Sequence, residues 1–244
     1  MNEYIYPLLI SFIAGIATII GNLLLFINPK YKEFLISFAL GLSFSVMFLI
    51  SVLDLIPEGL RYGLCEVGES LRLFIFSLIL LLFGYIIVVL IEGKIKSNDS
   101  LYKIGVLSMI SLLIHNIPEG ILCALTSSVD IKIGLKFSLI IMIHNIPEGI
   151  CISLPIYYAT KSKLKALFYT FISSMGEFIG AILALILLRP ILSNMMLYII
   201  LVLVAGIMIS LSVFKILKEG LLYKRYKYLI WGIILGIVVV YLTL

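Results

Sequence analysis

Residues 102–126 read YKIGVLSMISLLIHNIPEGILCALT, and residues 133–159 read IGLKFSLIIMIHNIPEGICISLPIYYA. Each stretch is apolar over the ~20 residues that a membrane-crossing helix needs. Each nevertheless carries the hexapeptide His-Asn-Ile-Pro-Glu-Gly near its centre, once from His115 to Gly120 and once from His144 to Gly149. These two frames hold every histidine of the chain. A degenerate third copy, Asp-Leu-Ile-Pro-Glu-Gly, occupies residues 54–59. Polar groups at the middle of apolar spans are costly and are retained where they function.

Working outward, eight apolar stretches can be marked, roughly 5–27, 34–58, 71–92, 102–126, 133–159, 165–188, 191–214 and 228–244. Backbone groups in lipid must bond within their own segment, so each is expected to be a helix. The connections leave no room for a soluble domain, and the chain reads as a single all-α integral membrane domain of eight transmembrane helices. Composition agrees: 63% of the 244 residues are hydrophobic and 13% charged, against about a quarter charged in a soluble domain. The net charge of +5 is spread over many loops, which argues for membrane topology and against nucleic acid. Cys65, Cys123 and Cys151 form no C-x-x-C pair, so neither a disulfide framework nor a zinc finger is indicated. The first apolar stretch lacks a basic segment before it and reads as a retained helix.

Eight spans place both termini on one side. One set of loops carries Lys30, Lys32, Lys94, Lys96, Lys103, Lys161, Lys163, Lys165, Lys215, Lys218, Lys224, Arg225 and Lys227. The alternate set carries Arg61, Arg72, Lys132, Lys136 and Arg189. The thirteen-to-five bias puts the first set in the cytoplasm and both termini outside the cell membrane.

Within one hexapeptide, His115 and Glu119 are four residues apart and share a helix face one turn apart, so imidazole nitrogen and carboxylate oxygen converge. Asn116 adds an amide oxygen. Pro118 and Pro147 remove the donors that the carbonyls of Ile114 and Ile143 would otherwise receive. The two spans are antiparallel neighbours, so His144, Asn145 and Glu148 meet the first cluster near mid-membrane. Glu177, central in the next span, completes a set able to hold two ions with bridging carboxylates. Transporters place substrate sites at this depth on interrupted helices. Asp54 and Glu58, near the outer end of their span, are expected to form an entrance that gathers cations. Imidazole with carboxylate and amide oxygen suits zinc, iron, manganese and cobalt; copper(I) would want thiolates, and magnesium or calcium would need no histidine. Transport of such a metal is therefore the expected function. The ion is cargo, and no cofactor is expected. A rival reading is an intramembrane metal-dependent hydrolase using the same cluster, although H-E-x-x-H is absent; a metal sensor or channel is a third. Cys123 and Cys151 are expected to pack as small apolar groups, and Ser173 to back-bond to its own helix.

With these residues in view, the chain resembles the ZIP family of zinc- and iron-regulated transporter-like proteins, and most of all its bacterial GufA-like and broad-range zinc-uptake branches. The resemblance spans essentially the whole chain and implies eight spans with outward termini in an inverted 3+2+3 repeat. It implies a binuclear site in which His115, Asn116 and Glu119 match the fourth-span ligands. His144, Asn145 and Glu148 match the fifth-span ligands, and Glu177 the sixth-span carboxylate. Some relatives carry Gln and Asp where this chain has His144 and Asn145, which lowers the charge of the second position here. Many members have a histidine-rich cytoplasmic loop; the loop from Glu92 to Lys103 has none. The resemblance further implies uptake of zinc, iron, manganese, cobalt or cadmium at the plasma membrane. Relatives are thought to work by an elevator-like slide of spans one, four, five and six, and to form homodimers.

Overall fold

The computed structural model describes residues 2–26, 32–67, 71–188 and 193–243, and among these there are helices and no strands. Lys30, Arg189 and positions 27, 191, 192 and 244 of the expected spans lie outside the described residues.

Among the described residues eight helical units follow one another. α1 is Asn2–Ile20, continued by a 3-10 stretch Gly21–Phe26. α2 is Lys32–Ile50, passing through a π turn Ser51–Leu55 into Ile56–Val67. α3 is Leu71–Lys94, α4 is Ser100–Val129 and α5 is Ile131–Thr160. α6 is Lys163–Ile182 with a π continuation Leu183–Leu188. α7 is Asn194–Leu211, running through the π turn Ser212–Leu217 into Lys218–Leu222. α8 is Tyr226–Thr243. Seven of these are long and apolar enough to cross a membrane, and the apolar part of the eighth, Tyr226–Leu242, is shorter.

The starts of four helices are set by side-chain caps. Asp99 accepts from the Tyr102 amide at 3.0 Å, Asp130 from Lys132, Ser162 from Lys165 and Ser193 from Met196, each satisfying a donor that has no partner within its helix. Asp130 is the whole connection between α4 and α5, so these two run antiparallel side by side. Both continue through Pro118 and Pro147 without a break.

The largest departure from the sequence reading is at α2. A span of 34–58 puts Asp54 and Glu58 near a helix end, but the helix runs on to Val67. The charges at Arg61 and Glu66 mark its exposed side. The opposite side presents Gly59 and Gly63, whose backbones lie against Val202 and Tyr198 of α7, and that packing carries the helix past the point where its hydropathy falls. Asp54 therefore sits within a π turn inside a long helix.

Two bodies emerge from the packing. Helices α1, α4, α5 and α6 all contact one another extensively, while in the second body α2 packs on α7 and α8 and α3 packs on α7; the bodies meet mainly through α2 on α5 and α4 on α7. Exchanging α1 with α6, α2 with α7, α3 with α8 and α4 with α5 maps the set of packed pairs onto itself. Two of the π segments follow the same relation, Ser51–Leu55 in α2 and Ser212–Leu217 in α7, whereas the π continuation of α6 answers to a 3-10 stretch in α1. Each exchanged pair joins an odd and an even helix, which is the pattern of an inverted repeat.

Within the α1/α4/α5/α6 body the close approaches are backbone to backbone. A Cβ at Gly120 would stand 2.0 Å from the Glu177 carbonyl oxygen, and one at Gly149 would stand 1.8 Å from that of Thr18. Only glycine lets the helices come this near. The two positions are repeat-related, and each follows directly on the glutamate of its hexapeptide.

Candidate metal centre

The two hexapeptides face each other across the α4–α5 contact. Glu119 Oε1 lies 3.1 Å from His115 Nε2 on its own helix and 3.1 Å from His144 Nε2 on α5. The His144 contact is a hydrogen bond. The His115 contact is close but poorly aligned, so neither His115 ring nitrogen has a hydrogen-bond partner. His115 Nε2 is also 3.5 Å from Glu148 Oε1, which closes the cluster from the α5 side. All four side chains are buried.

The asparagines anchor the clusters to the flanking helices. Asn116 Nδ2 donates to the Ser173 carbonyl of α6 at 3.2 Å, and Asn145 Nδ2 donates to the Ala14 carbonyl of α1 at 3.0 Å. These bonds are equivalent under the repeat exchange. Because each amide spends its nitrogen on backbone, each turns its oxygen the other way, and Asn116 Oδ1 and Asn145 Oδ1 are both buried without a partner. Asn145 Nδ2 also donates to Glu177 Oε1, so α6 joins the cluster through this amide.

The cluster is rich in unpartnered acceptors. Among the described residues Glu119 Oε2, both oxygens of Glu148, Glu177 Oε2 and the two asparagine oxygens are buried without a hydrogen-bond partner. An unsatisfied buried polar group costs about 1–3 kcal/mol, and more when charged. Six such oxygens beside two imidazoles fit a cation with nitrogen and oxygen preference. Among the described residues no three His, Cys, Asp or Glu side chains are already grouped so as to hold a metal ion. The imidazoles and Glu119 contact one another instead, and an ion entering here would replace those contacts.

A cavity of about 400 Å³ leads to the cluster from one end of the bundle, lined by Asp54, Glu58, Arg61, Tyr62, Thr126, Glu119 and His144 together with apolar residues such as Leu122 and Ile141. The Arg61 side chain is 67% exposed and marks the mouth. Asp54 and Glu58, the expected entrance carboxylates, both line this cavity, with Asp54 farther from the helix end than the sequence reading placed it. Glu58 is ion-paired with Arg61, a contact that the three-residue spacing made readable. His115, Glu148 and Glu177 lie behind the Glu119–His144 pair, outside the cavity lining.

The anchoring carbonyls of Ala14 and Ser173 carry no side-chain signal and were not foreseen. Ser173 corrects one expectation: its hydroxyl is buried without a partner and does not back-bond, while its carbonyl serves Asn116. Cys123 and Cys151 are buried as packing groups. Cys151 Sγ is 3.7 Å from Met47 Sδ, and Cys123 sits among Ile10, Ala14 and Ile141.

Comparison with known proteins bears on the family of the chain. A sequence profile described as ZIP zinc transporter matches residues 93–243. The chain is 36% identical to zinc transporter ZupT of Oceanobacillus iheyensis over its whole length, covering 98% of that protein. It is 30% identical to zinc transporter ZupT of Streptococcus mutans and 32% identical to that of Clostridium perfringens, again over the whole chain and covering 98% and 96% of those proteins.

Proposed function

The chain belongs to the ZIP zinc transporter family, and from that premise we propose that it moves divalent transition-metal ions, zinc first among them, across the plasma membrane into the cytoplasm. As a family member with this many apolar helices it is a multi-pass membrane transporter of metal ions and not an enzyme. Iron, manganese, cobalt and cadmium share the ligand chemistry and are further candidates.

We assign the transported ion to His115, Asn116, Glu119, His144, Asn145, Glu148 and Glu177. One observation carries this: six carboxylate and amide oxygens are buried and unpartnered beside two imidazoles. Glu119, between both rings, is the ligand first met from the cavity, and Glu148 and Glu177 offer a second position behind it. Asp54 and Glu58 concentrate cations along the way in. With the lysine-rich loops inside, the cavity faces outward, as uptake requires.

The division into two four-helix bodies supports an elevator-type slide of α1, α4, α5 and α6 along α2 and α7. The α2–α5 seam is largely apolar, with Ile36, Ala39 and Leu40 facing Ile150 and Leu154, so sliding breaks few directional bonds there. The hydrolase reading gains nothing from the relatives, which are named transporters. The homodimer implied by the resemblance is read by light scattering on the purified protein.

The test is flux. Purified protein in liposomes loaded with a zinc-sensitive dye accumulates zinc, and Glu119→Ala and Glu148→Ala variants, folded and inserted, do not. Normal uptake by both variants refutes the site, and zinc binding without flux refutes the carrier.

A further inference from the structure

A second polar cavity, of about 210 Å³, lies at the opposite end of the bundle from the metal route, walled by Glu92, Ser100, Lys103, Lys215, Lys218 and Glu219. Its three lysines outnumber its two glutamates, and both carboxylates are engaged. Glu92 is ion-paired with Lys215, and Glu219 accepts the Ser100 hydroxyl at 2.7 Å. Neither Lys103 nor Lys218 has an ion-pair partner among the described residues.

This cavity adjoins an apolar groove of about 350 Å³ between α3 and α7, lined by Leu78, Leu82, Tyr85, Ile209 and Phe214. Phe214 walls both spaces and rests edge-on against Tyr85 at 5.5 Å. Groove and cavity are successive parts of one seam. From Leu78 to Glu92 the helix rises about 21 Å, more than the ~15 Å that is half of the hydrocarbon core. The groove is presented to lipid, since Leu78, Leu82 and Phe214 are exposed on an apolar helix face.

A cationic recess at the lip of an apolar channel has the polarity pattern of one class of ligand. A free phosphate would satisfy the lysines and leave the groove unused; a neutral lipid would fill the groove and leave the lysines uncompensated. Basic recesses between membrane helices on the lysine-rich side take anionic headgroups. We infer that this seam is a binding site for an anionic phospholipid, with its phosphate on Lys103 and Lys218 and one acyl chain in the α3–α7 groove. Lys103 belongs to the α4 body and Lys218 to the α7 body, so the headgroup ties the two bodies together at this end.

The test is native mass spectrometry of the full chain in detergent with equimolar dioleoyl phosphatidylglycerol and dioleoyl phosphatidylcholine. The expected result is one phosphatidylglycerol retained per chain in preference to phosphatidylcholine. Lys103→Gln/Lys218→Gln weakens phosphatidylglycerol about 30-fold and leaves phosphatidylcholine unchanged. Lys132→Gln/Lys136→Gln, at the other end, changes neither. Ile209→Trp, or Leu82→Trp should the first not fold, fills the groove and lowers retention. The site is overturned by an absent preference, by a preference that survives loss of both lysines, or by retention indifferent to either tryptophan. Complete displacement by millimolar inorganic phosphate would mark a soluble-anion site instead. A dimer that the tryptophan variants dissociate would assign the groove to a second copy.

Discussion

Replacing Gly120 by alanine puts a methyl group 2.0 Å from the carbonyl oxygen of Glu177, where ordinary contact begins at 3.4 Å. The helices must part there by roughly 1.4 Å, because the obstructing atom is α6 backbone and has no rotamer to retreat to. A Cβ at Gly176 or Gly180 would likewise stand 2.6 Å or 2.1 Å from the Leu113 or Ile117 carbonyl oxygen of α4, so the strain is not relieved by a shift along the seam. Two effects compete. Alanine in a helix gains about 1 kcal/mol over glycine, and overpacking costs about 1–3 kcal/mol or more. Against a backbone atom this close the second wins, and a net loss of ~1–2 kcal/mol lowers the melting temperature by about 2–8 °C for a chain of this size. The site suffers more than the fold, since ligand distances tolerate about 0.2 Å and Glu177 rides on the displaced helix. Zinc uptake in liposomes is expected to fall at least tenfold, to order of magnitude. Gly93→Ala is the control: a Cβ there meets nothing within 4 Å, so only the helix gain remains, and melting and uptake stay at or above wild type. A Gly120→Ala variant that melts no lower than wild type and transports normally would refute the reasoning.

Other outcomes follow from the same geometry. Asp54→Ala/Glu58→Ala raises the half-saturating zinc concentration by about tenfold while the maximal rate is kept; complete loss of the central zinc-binding signal would remove both residues from the entrance role. Asn145→Ala releases the Ala14 carbonyl and Glu177 together and weakens zinc affinity by about 10–100-fold, read by calorimetry in detergent; unchanged affinity would make the amide merely structural. Zinc binds deprotonated imidazole and carboxylate, so protons compete and affinity falls as pH is lowered from about 8 to 5. A flat profile over that range counts against histidine ligation.

Much of the candidate cluster was legible because its motif is written twice. The identical frames at His115 and His144 placed both imidazoles and both glutamates, and an antiparallel pairing of adjacent spans was enough to bring Glu119 to His144. Glu177 stood out as an acidic residue in an apolar span. What was not legible has no side-chain signature. The carbonyls of Ala14 and Ser173 orient the asparagines, yet any residue supplies a carbonyl. The continuation of α2 to Val67 was hidden because hydropathy reports the lipid-facing side, whereas Gly59 and Gly63 pack on α7. The π turn ahead of Pro57 was likewise hidden, since the same Ile-Pro-Glu-Gly sequence stays α-helical in α4 and α5.

Zinc-edge anomalous scattering from crystals grown with zinc tests the central assignment most directly. A peak between α4 and α5, within about 2.0–2.2 Å of imidazole nitrogen and carboxylate oxygen from His115, Glu119, His144 or Glu148, is the predicted result. Anomalous density confined to the loops or to a cysteine, with these four side chains still contacting one another, would contradict it.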